Sequence, residues 1–146
     1  MRTRTLLLAA ATISLAFAPA PRPKPRKQSE DVKLIQGTWE IVSRTRAGNP
    51  VSHIVSTAEI TATTLTLVNA SGDWRSPFTL TLDPTKKPPW FEKRSVKGTT
   101  TSLGIYELQG DSLKLAYTSR GGGVRPTDFD ATRPGVTVDV YRRRKP

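Results

Sequence analysis

Residues 104–115 read GIYELQGDSLKL, two runs of alternating apolar and polar residues joined by Gly110-Asp111. Residues two apart in a strand face the same side of a sheet, so each run predicts a strand with one buried and one exposed face. A glycine followed by an aspartate suits a tight turn, and we expect the Asp111 side chain to hydrogen-bond nearby backbone. A second segment, Gly37-Thr38-Trp39, opens the first alternating run. Both segments favour a small antiparallel β-barrel.

The same period of two recurs along most of the chain after residue 37, where threonine and valine, which suit a pleated surface, are frequent. Turn-forming residues separate the runs. We predict eight strands, near residues 38–46, 57–61, 63–68, 76–82, 90–96, 103–108, 112–118 and 136–142. The predicted fold class is all-β, an eight-stranded antiparallel up-and-down barrel, because closure leaves no sheet edge exposed. Short helical turns are expected only near residues 32–35 and 125–129.

The alternation also predicts which side chains line the barrel. In the first strand the alternation places Trp39, Ile41 and Ser43 on one face. In the last strand it places Val136 and Val138 together on one face. The expected interior lining is Ile41, Leu65, Leu67, Phe78, Leu80, Tyr106 (or Ile105, depending on register), Leu113, Leu115 and Tyr117. An eight-stranded barrel is just wide enough to be filled by side chains or to hold one small ligand.

The N-terminus is typical of a secretory signal. Arg2 and Arg4 precede a short apolar run over residues 6–18, which is too short for a hydrocarbon layer that needs about 20 residues. We therefore predict a signal peptide over residues 1–18, cleaved near residues 16–20, no transmembrane anchor, and a secreted or periplasmic (cell-envelope) protein. A proline-rich, basic linker over residues 19–31 then precedes the barrel domain, residues 32–146. The absence of cysteine excludes disulfides.

The net charge of +11 is concentrated in the two tails. Residues 1–28 carry +6 and residues 142–145 carry +4, which leaves +1 for the body of the chain. A nucleic-acid-binding domain is expected to carry a basic face on the fold itself. The charge distribution therefore indicates no nucleic-acid partner, and it leaves the tails either as solvated spacers or as contacts for an anionic envelope polymer.

Five segments in order resemble a lipocalin-like family of exported bacterial proteins, found mainly in planctomycetes and largely uncharacterised. These segments are residues 34–40, 82–88, 104–111, 125–129 and 141–143, and the similarity spans roughly residues 33–144. The chain departs from the family pattern at Pro89-Trp90-Phe91, which leaves the register of the fifth strand open. The resemblance implies a small lipocalin-like barrel and no established activity.

The resemblance also implies structural roles for several residues. Gly37-x-Trp39 is similar to the opening signature of lipocalins, in which the tryptophan closes the barrel floor and an arginine from the last strand stacks on it. Here Arg142 or Arg143 takes that position. In the same way Gly110 and Asp111 match the family hairpin, and Arg125 matches its late loop.

The residues indicate no catalytic constellation, metal site or cofactor. His53 is the single histidine, and Ser52 beside it points away in an extended chain, so the two make a poor nucleophile–base pair. Zinc takes three or four nitrogen or sulfur ligands, which one histidine and no cysteine do not supply. Asp128 is expected to pair with Arg125 in its own loop. The glycine-rich residues 119–125 suit an anion-binding nest or a mobile loop at the barrel mouth.

Two functional hypotheses follow. In the first, the interior binds a small apolar or amphipathic molecule by burying its area, with a few polar groups fixing its orientation. In the second, the interior is filled, and the outer surface and basic tails contact an anionic envelope polymer or a protein partner. The sequence leaves the oligomeric state open.

Overall fold

The computed structural model describes residues 28–52, 54–118 and 123–145. The predicted signal peptide, the linker up to residue 27, His53 and residues 119–122 of the glycine-rich loop lie outside this range. One helix and nine strands are assigned within it, and the helix begins inside the segment expected to be linker. Their bounds are α1 Gln28–Leu34, β1 Gly37–Arg46, β2 Asn49–Pro50, β3 Val55–Ile60, β4 Thr64–Asn69, β5 Arg75–Asp83, β6 Trp90–Ser95, β7 Thr101–Gln109, β8 Ser112–Thr118 and β9 Val136–Arg143.

The strands form a closed antiparallel barrel of up-and-down topology. Strand β1 pairs with β3, each later strand pairs with the next, and β9 returns to pair with β1. This confirms the predicted all-β barrel, and all eight predicted strands are present with bounds within two residues of those expected. Strand β2 is an addition. It folds back on β1 through Ala47 and Gly48, whose φ angles of 49° and 77° are both left-handed, as a two-residue type I′ hairpin requires.

A β-bulge in β1 changes which side chains face the interior. Ile41 pairs with Tyr141 and Ser43 pairs with Val140, so Val42 is an extra residue and is 59% exposed. Because one extra residue reverses the alternation, the inward side chain after the bulge is Arg44. The expectation that Ser43 shares a face with Trp39 is therefore wrong.

The interior core contains every residue predicted to line the barrel. Fourteen buried residues form one cluster, and four partly buried apolar residues pack against it. The nine predicted residues all belong to this set, with Ile41 and Phe78 among the partly buried members: Ile41, Leu65, Leu67, Phe78, Leu80, Tyr106, Leu113, Leu115 and Tyr117. Tyr106, not Ile105, faces inward. The fifth predicted strand, β6, places Phe91 and Lys93 inside.

A second, smaller core lies on the outer face of the sheet. Ile105, Ala116, Val136 and Val138 are buried there beneath two residues of the late loop, Phe129 and Ala131. The valines of β9 therefore pack on the outer face. The late loop contains no helical turn over residues 125–129, which form bends and irregular structure.

Arg125 attaches this loop to the barrel wall. Its Nη1 donates to the carbonyl oxygens of Phe91, at 2.6 Å, and Gly104, at 2.5 Å, and its guanidinium lies 4.5 Å from the centre of the Trp90 ring. Asp128 does not pair with Arg125 as expected. Its partner is Arg133, whose Nη2 lies 2.6 Å from Oδ2 of Asp128. The loop thus has its own ion pair, and Arg125 is used for fixing the loop.

The barrel floor is closed by Trp39, helix α1 and Arg143. The Arg143 guanidinium lies 4.2 Å from the centre of the Trp39 ring and donates to the carbonyl oxygens of Leu34 and Gln36 at the end of α1, the latter at 2.9 Å. The Trp39 indole donates to the Ile35 carbonyl at 2.8 Å. Carbonyls at a helix C-terminus lack intrahelical partners, so these bonds satisfy them.

The assignment of Arg142 to this stacking role is wrong. Arg142 pairs with Glu40 across the strands, one position from the Trp39–Arg143 pair, and its side chain therefore points out to solvent. Gly37 allows the close approach at the floor: its φ is 127°, and a Cβ there would lie 3.0 Å from Nη1 of Arg143.

The β7–β8 hairpin turn is confirmed at Gly110 and Asp111. Gly110 has a φ of 57°, and Gln109 pairs with Ser112 across the two-residue loop. The Asp111 carboxylate does not bond local backbone as expected. It lies 3.5 Å from Nε of Arg143 and 3.9 Å from Nζ of Lys145, so it pairs with the basic C-terminal residues.

Candidate functional site

The inner face of the barrel is apolar toward the floor and polar toward the opposite end. We call that opposite end the mouth. It carries the described connecting residues 47–52, 54, 70–74, 96–100 and 123–135. In the mouth half, five polar side chains face inward from strands β1, β6, β7 and β9. They are Arg44, Lys93, Ser102, Thr137 and Asp139. The last four are buried, and none of the five belongs to the predicted lining.

Asp139 is the centre of this polar set. It has no solvent exposure and is the cross-strand partner of Arg44, which donates to it through Nε and Nη2, both at 2.7 Å. The hydroxyl groups of Tyr117 and Tyr141 each donate to Oδ2 of Asp139 at 3.1 Å. Oδ1 therefore accepts one bond, from Arg44, and Oδ2 accepts three, from Arg44 and the two phenols.

Burial and the contact with Asp139 keep Arg44, Tyr117 and Tyr141 in fixed protonation states. The hydrogen bond to Asp139 raises the pKa of Arg44, so the guanidinium stays charged. Burial, and then the Asp139 charge, raise the pKa of Tyr117 and of Tyr141. Both phenols consequently stay protonated and act as donors at neutral pH.

Lys93 carries a buried charge that forms no ion pair or hydrogen bond with this network among the described residues. Its side chain is on the inner face of β6, opposite Ser102 on β7, and only 5% of the residue is exposed. Its Nζ lies 3.7 Å from the ring centre of Tyr117 and 5.4 Å from that of Phe78. Across the ranges 28–52, 54–118 and 123–145, no carboxylate forms an ion pair with this ammonium and no group hydrogen-bonds to it.

Burial lowers the pKa of Lys93 from its ordinary value of 10.5 to about 8, a fall that the nearby Asp139 charge opposes. The ammonium is thus charged at neutral pH, although it lies among apolar side chains. The two aromatic faces stabilise it by about 0.5–2 kcal/mol. A charge in an apolar interior normally has a counter-ion or several hydrogen bonds, and Lys93 has neither in the described part of the chain.

Gly104 makes room for the aromatic part of the wall. It lies on β7 between Phe91 on β6 and Tyr117 on β8, whose ring centres are 6.2 Å apart at 70° in an edge-to-face arrangement. A Cβ on Gly104 would overlap the Phe91 ring and lie 2.7 Å from the Ala116 carbonyl oxygen. The missing side chain therefore allows the rings to meet in front of the backbone, on the side where Lys93 contacts Tyr117.

Toward the floor the inner face contains one unpaired polar atom of its own. The Tyr106 hydroxyl is buried and, among the described residues, has no hydrogen-bond partner. Burial raises its pKa. Oδ1 of Asp31 in α1 is buried and unpaired as well. A buried water with two to four polar partners is the usual solution for such atoms.

The sequence therefore predicted the apolar part of this site and not its polar part. The apolar lining is brought together as expected, whereas Arg44, Lys93 and Asp139 were missed. Lys93 follows Phe91 by two residues, a spacing that signals a shared face. The Val136–Val140 run hid Asp139, because alternating valines indicated the opposite face as the buried one.

The recesses on the outer surface include three that described residues line. One, of about 450 Å³, lies at the floor and is lined by Glu40, Asp111 and residues 142–145. A second, of about 360 Å³, lies beside the late loop, and a third, of about 350 Å³, lies between Ile41 and Ala70. No group of three or more His, Cys, Asp or Glu side chains suited to a metal ion occurs among the described residues. Nor does any helix in this part of the chain have the length and apolar content needed to cross a membrane.

No protein-family model, curated protein or solved structure matches this chain.

Proposed function

We propose that the barrel binds a small amphipathic molecule in its interior, with the apolar part toward the floor and the polar part toward the mouth. The observation that carries this proposal is the division of the inner face. Leu65 and Leu113 are buried near the floor, each about 1% exposed or less, whereas Lys93 and Asp139 are buried in the mouth half. Ligand sites combine apolar walls with a few oriented polar groups in this way.

Ligand binding is tested on the purified full-length protein by native mass spectrometry and by titration with an amphipathic fluorescent dye. Leu67, on β4 toward the mouth, is 7% exposed, so Leu67→Trp should fill interior space and weaken dye binding at least tenfold. Val42→Trp is the matched control, because Val42 points into solvent. Equal weakening by both variants, or a wild-type protein that binds neither dye nor lipid-sized molecules, would count against interior binding.

A second candidate function uses the basic recess at the floor. Residues 142–145 supply four cations there, against the carboxylates of Glu40 and Asp111, which pair with Arg144 at 3.6 Å and with Arg143 at 3.5 Å. The surplus of positive charge favours contact with an anionic envelope polymer. Retention on an anionic polysaccharide column should fall with salt and after Arg142→Ala; retention that neither change affects would exclude this role.

We further propose that the protein is exported and belongs to the lipocalin-like family that its sequence resembles. Export rests on the charged and apolar N-terminal segment, and family membership rests on the ordered segments from Leu34 to Arg143. Mass spectrometry of the protein recovered from the cell envelope should find an N-terminus near residues 16–20. Intact Met1 on a cytoplasmic protein would refute export.

A further inference from the structure

We infer that the interior site selects molecules with a monoanionic carboxylate head group, and that Lys93 is the residue that recognises it. This inference rests on the proposed interior binding and specifies the chemical class of the ligand. It starts from an ammonium that is 95% buried, faces the barrel interior and lacks a counter-ion among the described residues.

The inward-facing side chains of the mouth half carry a net positive charge. Among the described residues, the inward-facing charged groups of the mouth half are Arg44, whose side chain is 14% exposed, and the buried Lys93 and Asp139, which together carry a formal charge of +1. Arg46 lies farther out at the rim, where its Nε donates to Thr137 at 3.2 Å. One monoanion therefore neutralises the inward-facing set, whereas a phosphate dianion reverses its sign and a cation doubles the excess.

Lys93 has no ion-pair partner among the described residues. Among the described residues Asp139 is the one buried carboxylate, and its oxygens already accept bonds from Arg44, Tyr117 and Tyr141. Oδ2 already accepts three of these bonds, so pairing Lys93 with that oxygen would compete with Arg44 and the two phenols. An external carboxylate avoids this conflict, because it brings its own oxygens to the ammonium.

The position of Lys93 on the inner face determines where the head group and the tail of a ligand would lie. Lys93 lies four residues into β6, with Leu80 beside it on β5 and Ser102 beside it on β7, and both neighbours are buried. Apolar residues of the core extend from this level down to Trp39 at the floor. A carboxylate at Nζ with an alkyl tail directed toward the floor therefore meets one cation and then a wall that is apolar apart from the Tyr106 hydroxyl.

The test compares decanoate with decanol, which share one chain length, by calorimetric titration of the full-length protein. Hydrogen bonds to charged groups predict about ten- to hundredfold tighter binding of decanoate. Lys93→Met should bring the two affinities within about threefold of each other. Lys114→Met is the matched control, since Lys114 lies 3.8 Å from Glu107 and 5.3 Å from the Phe129 ring on the outer face, and it should keep the preference.

The outcomes distinguish a failure of carboxylate selection by Lys93 from a failure of interior binding. Equal binding of decanoate and decanol by the wild type overturns Lys93 selectivity and leaves interior binding intact. Binding of neither compound overturns interior binding itself. Tighter binding of decyl phosphate or decyltrimethylammonium than of decanoate refutes the monoanion count. If Lys93→Met does not fold, Lys93→Gln replaces it, and the wild-type preference alone still supports or overturns the inference.

Discussion

Replacing Lys93 by methionine should stabilise the folded protein at neutral pH. The pKa of Lys93 falls from 10.5 to about 8 on folding, which corresponds to a cost of about 3 kcal/mol for keeping the ammonium charged at pH 7. Methionine has a similar length and removes that cost. It also removes the contacts with the rings of Tyr117 and Phe78, worth about 0.5–2 kcal/mol. The expected net gain at pH 7 is about 1–3 kcal/mol.

The difference in stability between the wild type and Lys93→Met should depend on pH. Between pH 8 and 10.5 the unfolded chain still binds the Lys93 proton while the folded chain has released it, so the stability of the wild type rises with pH in this window. The cost is fully present below pH 8 and disappears above 10.5. The advantage of the variant should therefore shrink by about 2 kcal/mol between pH 7 and 9.5. The buried tyrosines titrate in both proteins and cancel in the difference.

The assay is urea unfolding of the wild type, Lys93→Met and Lys114→Met at pH 7, 8 and 9.5, followed by tryptophan fluorescence. Lys114→Met reports the effect of removing a partly exposed lysine, and it should stay within about 0.5 kcal/mol of the wild type at each pH. A Lys93→Met protein that is destabilised by the same amount at every pH would refute the reasoning. That result would mean that the ammonium is not held charged among apolar groups.

Three further predictions concern the fold. Arg143→Ala should lower the free energy of unfolding by about 2–4 kcal/mol, because it removes the stack on the floor tryptophan and two bonds to helix carbonyls, whereas Arg142→Ala should change it by less than about 0.5 kcal/mol; similar melting temperatures for both variants would contradict this. Gly104→Ala should destabilise by about 1–3 kcal/mol through overlap with the Phe91 ring, measured by urea unfolding, and a neutral effect would show that the ring has room to move. Ala47→Asn should raise the melting point, with a gain of about 0.5–1 kcal/mol, because asparagine tolerates the left-handed turn; a lower melting point would argue against that conformation.

The strands were predictable because their signals are local. An apolar–polar period of two and a glycine or proline turn can be read from a few neighbouring residues, and Gly110 shows how directly: its left-handed φ of 57° is what a tight hairpin demands. Strand β2 is the exception. It consists of two residues, Asn49 and Pro50, too few for any period to be visible.

The polar half of the site could not be read in the same way. Arg44 faces inward only because the bulge at Val42 reverses the alternation, and a bulge has no mark in this sequence. Asp139 lies inward because the late loop covers the valines on the other face of β9 with Phe129. Which face of β9 counts as the interior thus depends on a loop packing against it, which is a tertiary contact and not a local pattern.

The same reasoning explains why we assign the polar set to binding and not to stability. A buried ion pair such as Arg44–Asp139 often contributes no more than apolar residues of equal volume, because desolvation offsets the attraction between the charges. The charged Lys93 side chain lowers the free energy of unfolding by about 3 kcal/mol at pH 7. The contacts with the aromatic rings offset only part of this loss. Local rules of folding are usually broken at functional sites. The proposed anionic ligand, which would pair with this ammonium, accounts for a charge that weakens its own barrel.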